Sequence, residues 1–500
     1  MGSNLLWNAI VICFQPSNLG LIILGFLLGH LFGLLPGLSG MVAVAILIPL
    51  SYGMEMAPAL IFLISILGGG TFAGSITAIL LGIPGQAMNA MTILDGHPLA
   101  LQGKGAMAIG ASATASALGS VFSLILLALS IPFVNRIVLL FSPPECFAIV
   151  TVGMVAIAMA SVGQMLNGLI SGALGLLFAS IGFNSVVGGL RFTYGIDYLW
   201  GGIPAVPVFV GIYAVGEFID LAVRRKEITP AKITNIGQGL WDGVKSVFEH
   251  WFLWLRCTII GFIVGVIPGL GGDAAAVITY AHAVQTEKNT ENFGKGDIRG
   301  VIAPESSNNS KDGGQLMPTF ALGIPGSVPM AILMGAFLIH GIQPGQNMFT
   351  THLNIVWIVI VAYSLSNIFT SLFGMALGGQ LAKLVNLPPP TYMPAIIIMG
   401  LLGAYVASYS FTDVLVTVTI GFVGYALKVF NFPRIPLIIG YVLGGLFEKF
   451  YFQSLQMSRG SYMIFFTRPV VLVLWAFLIL SLVLYFRQSF KKKEHIEVIE

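Results

Sequence analysis

The sequence predicts an all-α polytopic membrane protein, with roughly 10–12 transmembrane segments in two homologous repeats that carry broken or re-entrant helices. Three observations predict it. Hydrophobic residues make up 56% of the 500-residue chain and charged residues 9%, against roughly 25% charged in an ordinary soluble domain. Apolar runs approaching the about 20 residues needed to cross hydrocarbon recur along the whole chain, among them 19–35, 106–133, 203–223, 355–377 and 469–486. Finally, two glycine-proline motifs each occur once per half and in the same order: GLLPGLSG at 33–40 and GVIPGLGG at 265–272, then GIPG at 82–85 and again at 323–326.

The first cation is Lys104, so the start of the chain lacks the basic segment of a cleavable signal peptide, and its first apolar segments are expected to stay. Basic residues cluster at Arg224, Arg225, Lys226, Lys232 and Lys245, and again at Arg487, Lys491, Lys492 and Lys493. Excess Lys and Arg in short loops marks the cytoplasmic side. The expected organisation is a transmembrane repeat over 1–223, a cytoplasmic linker over 224–250 and a second transmembrane repeat over 251–500 that ends in a basic cytoplasmic tail. A cytoplasmic linker lets the second repeat enter from inside, and the cation-free start lets the first enter from outside. Inverted topology is therefore preferred over parallel.

Glycine and proline interrupt helices, and inside a bilayer an interrupted helix survives only where protein packs around it or a polar cavity adjoins it. Matched interruptions in two halves are the best sequence pointer to a transporter's central site. Around each GIPG, the missing proline N–H and the freedom of glycine are expected to leave backbone groups unpaired. These groups would hold an anion at half-helix N-termini or a cation at freed carbonyls. The candidate substrate residues are Ser75, Thr77, Gly82, Pro84, Gly85, Gln86 and Asn89 in one half, with Asn308, Asn309, Lys311, Gly323, Pro325, Gly326 and Ser327 in the other. Gln315 and Thr319 lie beside them. A proline kink with plain glycine packing is the alternative for one GIPG, and the duplication argues against it.

The paired PGL-G elements supply candidate ion-coupling residues: Pro36, Gly37, Gly40, Pro268, Gly269, Gly272 and Asp273. Their unwound carbonyls would bind a coupling ion, or their small residues would serve close helix packing. A carboxylate at membrane depth is costly unless paired or functional, so Asp273 is read either as an ion or proton site or as a helix N-cap. The dense polar run from Glu305 to Asp312 lines a hydrophilic cavity or forms a solvated loop, and Asp95-Gly96-His97-Pro98 is a turn or a site.

Enzymatic readings fare worse. GLSG superficially resembles a G-x-S-G nucleophile motif, but Gly271 stands where Ser39 does. There is no G-x-x-x-x-G-K-[ST] phosphate loop, and neither the seven histidines nor Cys13, Cys146 and Cys257 have metal-ligand or disulfide spacing. No cofactor, no structural metal and no nucleic-acid partner is expected; the only expected ion is Na+ or H+ for coupling.

The segments GLLPGLSG, GGGTFAGSITAILLGIPGQAMNAMTILDGHPLALQGKGAMAIG, GVIPGLGGDAAAVITYAHAVQTEKN and GKGDIRGVIAPESSNNSKDGGQLMPTFALGIPGS resemble, in order and spacing, the large membrane subunit of tripartite tricarboxylate transporters. The resemblance runs over nearly the whole length. It implies a permease in the cell inner membrane, driven by a sodium or proton gradient. The permease would work with a small integral-membrane subunit and an extracytoplasmic solute-binding protein that delivers a tricarboxylate or related carboxylate. Gln86 and Met88 stand where small hydroxyl residues would be expected in relatives, which leaves the substrate open. The competing reading is a stand-alone cation-coupled organic-anion transporter or channel without a binding protein.

Overall fold

The computed structural model describes residues 2–35, 38–138, 142–160, 165–184, 188–224, 239–267, 271–381, 389–480 and 482–483. It is helical almost throughout, with one two-residue strand pair, Gly182–Phe183 against Leu190–Arg191. The first half runs through α1 (Gly2–Cys13), α2 (Pro16–Leu34), α3 (Gly40–Leu47), α4 (Met56–Leu81), α5 (Ala90–Leu101), α6 (Gly105–Val138), α7 (Pro143–Ala160) and α8 (Met165–Ala179). It closes with α9 (Ala205–Val210) and α10 (Gly216–Arg224), joined by a π-turn at Gly211–Val215. The second half runs through α11 (Leu240–Glu249), α12 (Trp251–Val266), α13 (Gly271–Thr286), α14 (Arg299–Leu322), α15 (Val328–Ile339), α16 (Leu353–Leu381), α17 (Pro389–Ser408), α18 (Phe411–Val429) and α19 (Arg434–Met457). A short helix, α20 (Ile464–Thr467), and an apolar helix Pro469–Leu480 follow.

Six helices among the described residues are long and apolar enough to cross a membrane: α2, α4, α6, α16, α18 and α19. A seventh span results if α11 and α12, bent by 79° at their junction, count as one. That is fewer than the roughly ten to twelve crossings expected; seven shorter apolar helices of 10–17 residues are present besides. The outward faces carry large apolar side chains such as Trp7, Leu129, Phe133, Trp251, Phe252 and Phe422, the composition that lipid requires.

Residues 59–81 of α4 are all buried, as a helix apolar on every side should be. Small residues let its neighbours approach: a Cβ on Gly29 of α2 would lie 1.9 Å from the Ile66 carbonyl oxygen, and one on Gly69 would lie 2.2 Å from that of Phe26. The second half repeats the device between α12 and α14, where a Cβ on Gly265 would lie 2.2 Å from the Lys311 carbonyl oxygen and one on Gly314 2.1 Å from that of Phe262. Backbone approach through glycine is how helices associate when apolar burial gives no net drive between them.

The halves also exchange partners. On α4 rests α16, with Ser366 donating to Ser65 O (2.7 Å) and Thr370 to Gly69 O (3.1 Å), so the two helices advance together. On α14 rests α6, where Ser116 reaches Glu305 and Gly119 faces Ser306. Between α16 and α14 the order reverses: Tyr363 bonds Asp312, and Asn367 bonds Asn309.

The run from Glu305 to Asp312 is neither a loop nor a cavity lip: it is helical and buried inside α14, whose residues 300–316 are all inaccessible. Serine is a poor helix former because its hydroxyl competes for backbone groups. Here those hydroxyls are absorbed locally, Ser306 donating to Ile302 O at 2.6 Å and Ser307 to Pro304 O at 2.8 Å.

Candidate functional site

Both GIPG elements follow long helices rather than short helical pieces. Gly82 caps α4 at φ +64° and Gly323 caps α14 at φ +65°, left-handed backbone that a side chain disfavours. The Gly82 and Ile83 N–H groups both turn back to Thr77 O, and the Gly323 and Ile324 N–H groups to Pro318 O. Gly85 N–H reaches Gly74 O at 3.4 Å, and Gly326 N–H reaches Thr319 Oγ1 at 3.4 Å. The expectation that these amides stay free for an anion is therefore corrected: six of them are consumed by the helices they end, the usual fate of a glycine-capped C-terminus. Thr77 is likewise turned inward, onto Gly74 O at 2.9 Å.

Beside the first of these loops lies a buried carboxylate. Glu305 of α14 is wholly buried. Its Oε2 accepts from Ser75 Oγ of α4 and from Ser116 Oγ of α6, both at 2.9 Å, and more weakly from Asn308 Nδ2 at 3.5 Å. Its Oε1 accepts from Thr92 Oγ1 of α5 at 2.5 Å. Asn89, in the 3₁₀ turn after the first GIPG, holds Ser75 in place by donating to its Oγ at 2.9 Å, while its own Oδ1 accepts from Gln86 N–H at 3.1 Å. Gln86 Nε2 reaches across to Gly70 O at 2.9 Å. The structure thus brings Ser75, Gln86 and Asn89 of one half together with Asn308 of the other.

The remaining second-half candidates form neighbouring groups. Lys311 Nζ pairs with Asp312 Oδ1 at 2.7 Å, and Tyr363 donates to Asp312 Oδ2 at 2.6 Å. Asn309 Nδ2 donates to Asn367 Oδ1 at 2.6 Å, and Asn367 Nδ2 to Tyr363 O at 2.8 Å. Ser327 bonds Gln315 Oε1 at 2.7 Å. Two buried amide oxygens here, Asn308 Oδ1 and Asn309 Oδ1, have no hydrogen-bond partner.

Of the candidate ion-coupling residues, Pro36, Gly37, Pro268 and Gly269 lie outside the described residues. Gly272 and Asp273 stand in the first turn of α13. Gly40 opens α3, where a Cβ would lie 3.0 Å from Gly70 Cα, and the preceding Ser39 is the N-cap, accepting from Val42 N–H at 3.4 Å. Asp95 is not in a loop: it is buried in α5 and fastens the turn before α14, accepting from Gly296 N–H (2.9 Å), Asp297 N–H (2.8 Å) and Tyr280 OH (2.8 Å). Arg299, the other cation near the polar run, is engaged by Asp297 at 2.7 Å and by two loop carbonyls, so it is unavailable to a ligand in the core.

Sequence reasoning missed Thr92, Ser116, Tyr363 and Asn367. Ser116 belongs to a stripe, Ser112, Ser116, Ser120 and Ser123, buried on one face of α6. Hydroxyls at intervals of three and four within an apolar helix were the signal for it.

The protein is a helical, multi-span membrane protein with a charged hydrogen-bond network sealed between its halves, and buried ionisable groups of that kind mark ion and substrate pathways in transport proteins. The chain belongs to the Tripartite tricarboxylate transporter TctA family, which residues 19–439 match. It is similar to an uncharacterized 52.8 kDa protein in the TAR-I ttuC′ 3′ region of Agrobacterium vitis, 32% identical over 463 residues, covering 92% of this chain and 91% of that protein. An uncharacterized protein in the TAR-II ttuC′ 3′ region of the same organism is 31% identical over 233 residues, covering 47% of this chain and 96% of that protein. No solved structure matches.

Proposed function

We propose that the chain is the permease subunit of a binding-protein-dependent secondary transporter, importing a tricarboxylate or related carboxylate across the inner membrane on a sodium or proton gradient. A small membrane subunit and an extracytoplasmic binding protein complete the system. The observation that carries the reading is the meeting of the two halves on one buried polar core: Ser75 and Thr92 from the first half bond Glu305 of the second. An inverted relation of the halves accords with α16 advancing alongside α4 but against α14.

Within that core the substrate carboxylates belong with Lys311, the buried cation, which would exchange Asp312 for the ligand. Gln86 and Ser327 each lie on the segment leaving a GIPG, and Asn309 Oδ1 is free to accept from a substrate hydroxyl. Ser75, Asn89 and Asn308 serve the Glu305 carboxylate instead, which would repel an anion. Uptake of labelled citrate and smaller carboxylates into proteoliposomes holding the chain and its small partner, with and without binding protein, under imposed sodium or proton gradients, tests the proposal. Uptake that needs both the binding protein and a gradient is expected. Uptake indifferent to the binding protein would transfer the reading to a stand-alone carrier.

A further inference from the structure

Three formal charges are buried along the middle of α14. Lys311 and Asp312 neutralise each other at 2.7 Å, which leaves Glu305 as an excess negative charge. Among the described residues no cation pairs with it; its partners are three hydroxyls and an amide. Neutral donors solvate a carboxylate without cancelling its charge, and an uncancelled charge away from water is strongly unfavourable.

We infer that Glu305 is the carboxylate of a monovalent-cation site that takes sodium, with Ser75 Oγ, Ser116 Oγ and Asn308 Oδ1 as its further ligands. The inference deepens the transport reading and rests on it only where the bound ion is taken as the coupling ion. The ligand chemistry supports it: every group is an oxygen, as hard cations require, and one carboxylate balances one positive charge but not two. Asn308 Oδ1 supports the site as well, reaching the ion once the amide turns about its Cβ–Cγ bond and takes Nδ2 off Glu305 Oε2. It is an acceptor 1% exposed, without a donor, on an amide whose nitrogen is already 3.5 Å from Glu305 Oε2. The hydroxyls of Ser75 and Ser116 donate to Oε2 only because nothing more positive is there. Rotation about their C–O bonds turns the hydrogens outward and the lone pairs toward an arriving ion. Thr92 remains on Oε1 and fixes the carboxylate's orientation, while Asn89 fixes Ser75. Because the ligands come from α4, α6 and α14, an ion there ties the first half to the second, as coupling to a movement between them needs.

The test is binding of radiolabelled sodium to the purified full-length chain in detergent, together with its thermal unfolding midpoint in sodium chloride against choline chloride at fixed pH and ionic strength. Sodium is expected to bind and to raise the midpoint, choline to do neither, and Glu305→Gln to lose both responses. Ser116→Ala, which keeps the carboxylate and removes one ligand, is expected to weaken sodium binding roughly tenfold, and it decides the matter if Glu305→Gln does not fold. Sodium binding unchanged in both variants overturns the site. A midpoint that follows pH and ignores sodium overturns it too, and makes Glu305 a proton carrier. Substrate and partner subunits are absent from this measurement, so sodium binding without any carboxylate uptake would refute the transport reading and leave the site standing.

Discussion

The helices α4 and α14 end alike and differ in between. Each reaches a glycine in left-handed conformation, each turns its next amides back on itself, and each is clasped by a glycine-bearing helix of its own half. Counting back equally from the two caps, however, Gly68, Gly69, Gly70 and Thr71 of α4 stand where α14 has Asn309, Ser310, Lys311 and Asp312, and Ile64 stands where it has Glu305. The stretch before the first cap packs as scaffold, and the stretch before the second carries the charged groups.

The largest expected effect breaks what the two helices share. Leucine at Gly29 or at Gly265 would drive a side chain into a carbonyl that already lies within 2.2 Å of the Cβ position, so both variants are expected to lose the folded state, at a cost exceeding about 4 kcal/mol. Size-exclusion profiles of the expressed protein check this. A folded Gly29→Leu variant would mean that α2 and α4 can separate. A smaller effect isolates what they do not share. Lys311→Met leaves Asp312 buried with Tyr363 alone and is expected to lower stability by about 3–5 kcal/mol, the usual result of removing one member of a buried ion pair. The double variant Lys311→Met with Asp312→Asn is expected to regain most of it. Unfolding midpoints of the three proteins give the comparison. Recovery absent from the double variant would assign Lys311 a role beyond neutralising its neighbour.

The shared features were legible in the sequence and the divergent ones only partly. Gly82 and Gly323 announce helix ends because few other residues accept that backbone, and Pro84 and Pro325 forbid continuation, so both breaks could be read without coordinates. The fate of the freed amides could not: whether an N–H meets a ligand or the last turn of its own helix depends on dihedrals that Gly-Ile-Pro-Gly permits either way. Glu305 looked like part of a polar stretch because its composition suits a loop. Its burial follows from the neighbours α12 and α6, whose Gly261, Gly265 and serine stripe lie far away in the chain. Thr92 was invisible for the same reason, and Ser116 showed only as one member of a serine stripe. A lone hydroxyl acquires a role only when packing delivers a partner, as Glu305 is delivered to Ser116 across 189 residues of chain.

The subtlest comparison is between the two caps themselves. Alanine at either position must hold a positive φ, which costs about 1 kcal/mol, so equal surroundings would give equal losses. They are not equal. A Cβ on Gly82 would meet the ring of His97 at 3.1 Å, a side chain that can pivot, since only its Nδ1 contact to Ile79 O at 3.0 Å holds it there. A Cβ on Gly323 would meet the Pro344 carbonyl oxygen at 2.7 Å, which is backbone and moves only with the segment that carries Gly345 N–H onto Phe320 O. Gly323→Ala is therefore expected to lower the unfolding midpoint more than Gly82→Ala, by an additional stability loss of about 1 kcal/mol for overpacking. Equal shifts would show that the left-handed backbone dominates and that the loop around Pro344 yields. A larger shift for Gly82→Ala would mean that His97 is held more firmly than one contact implies, and that the segment after Gly82, not the one around Pro344, is the more rigid.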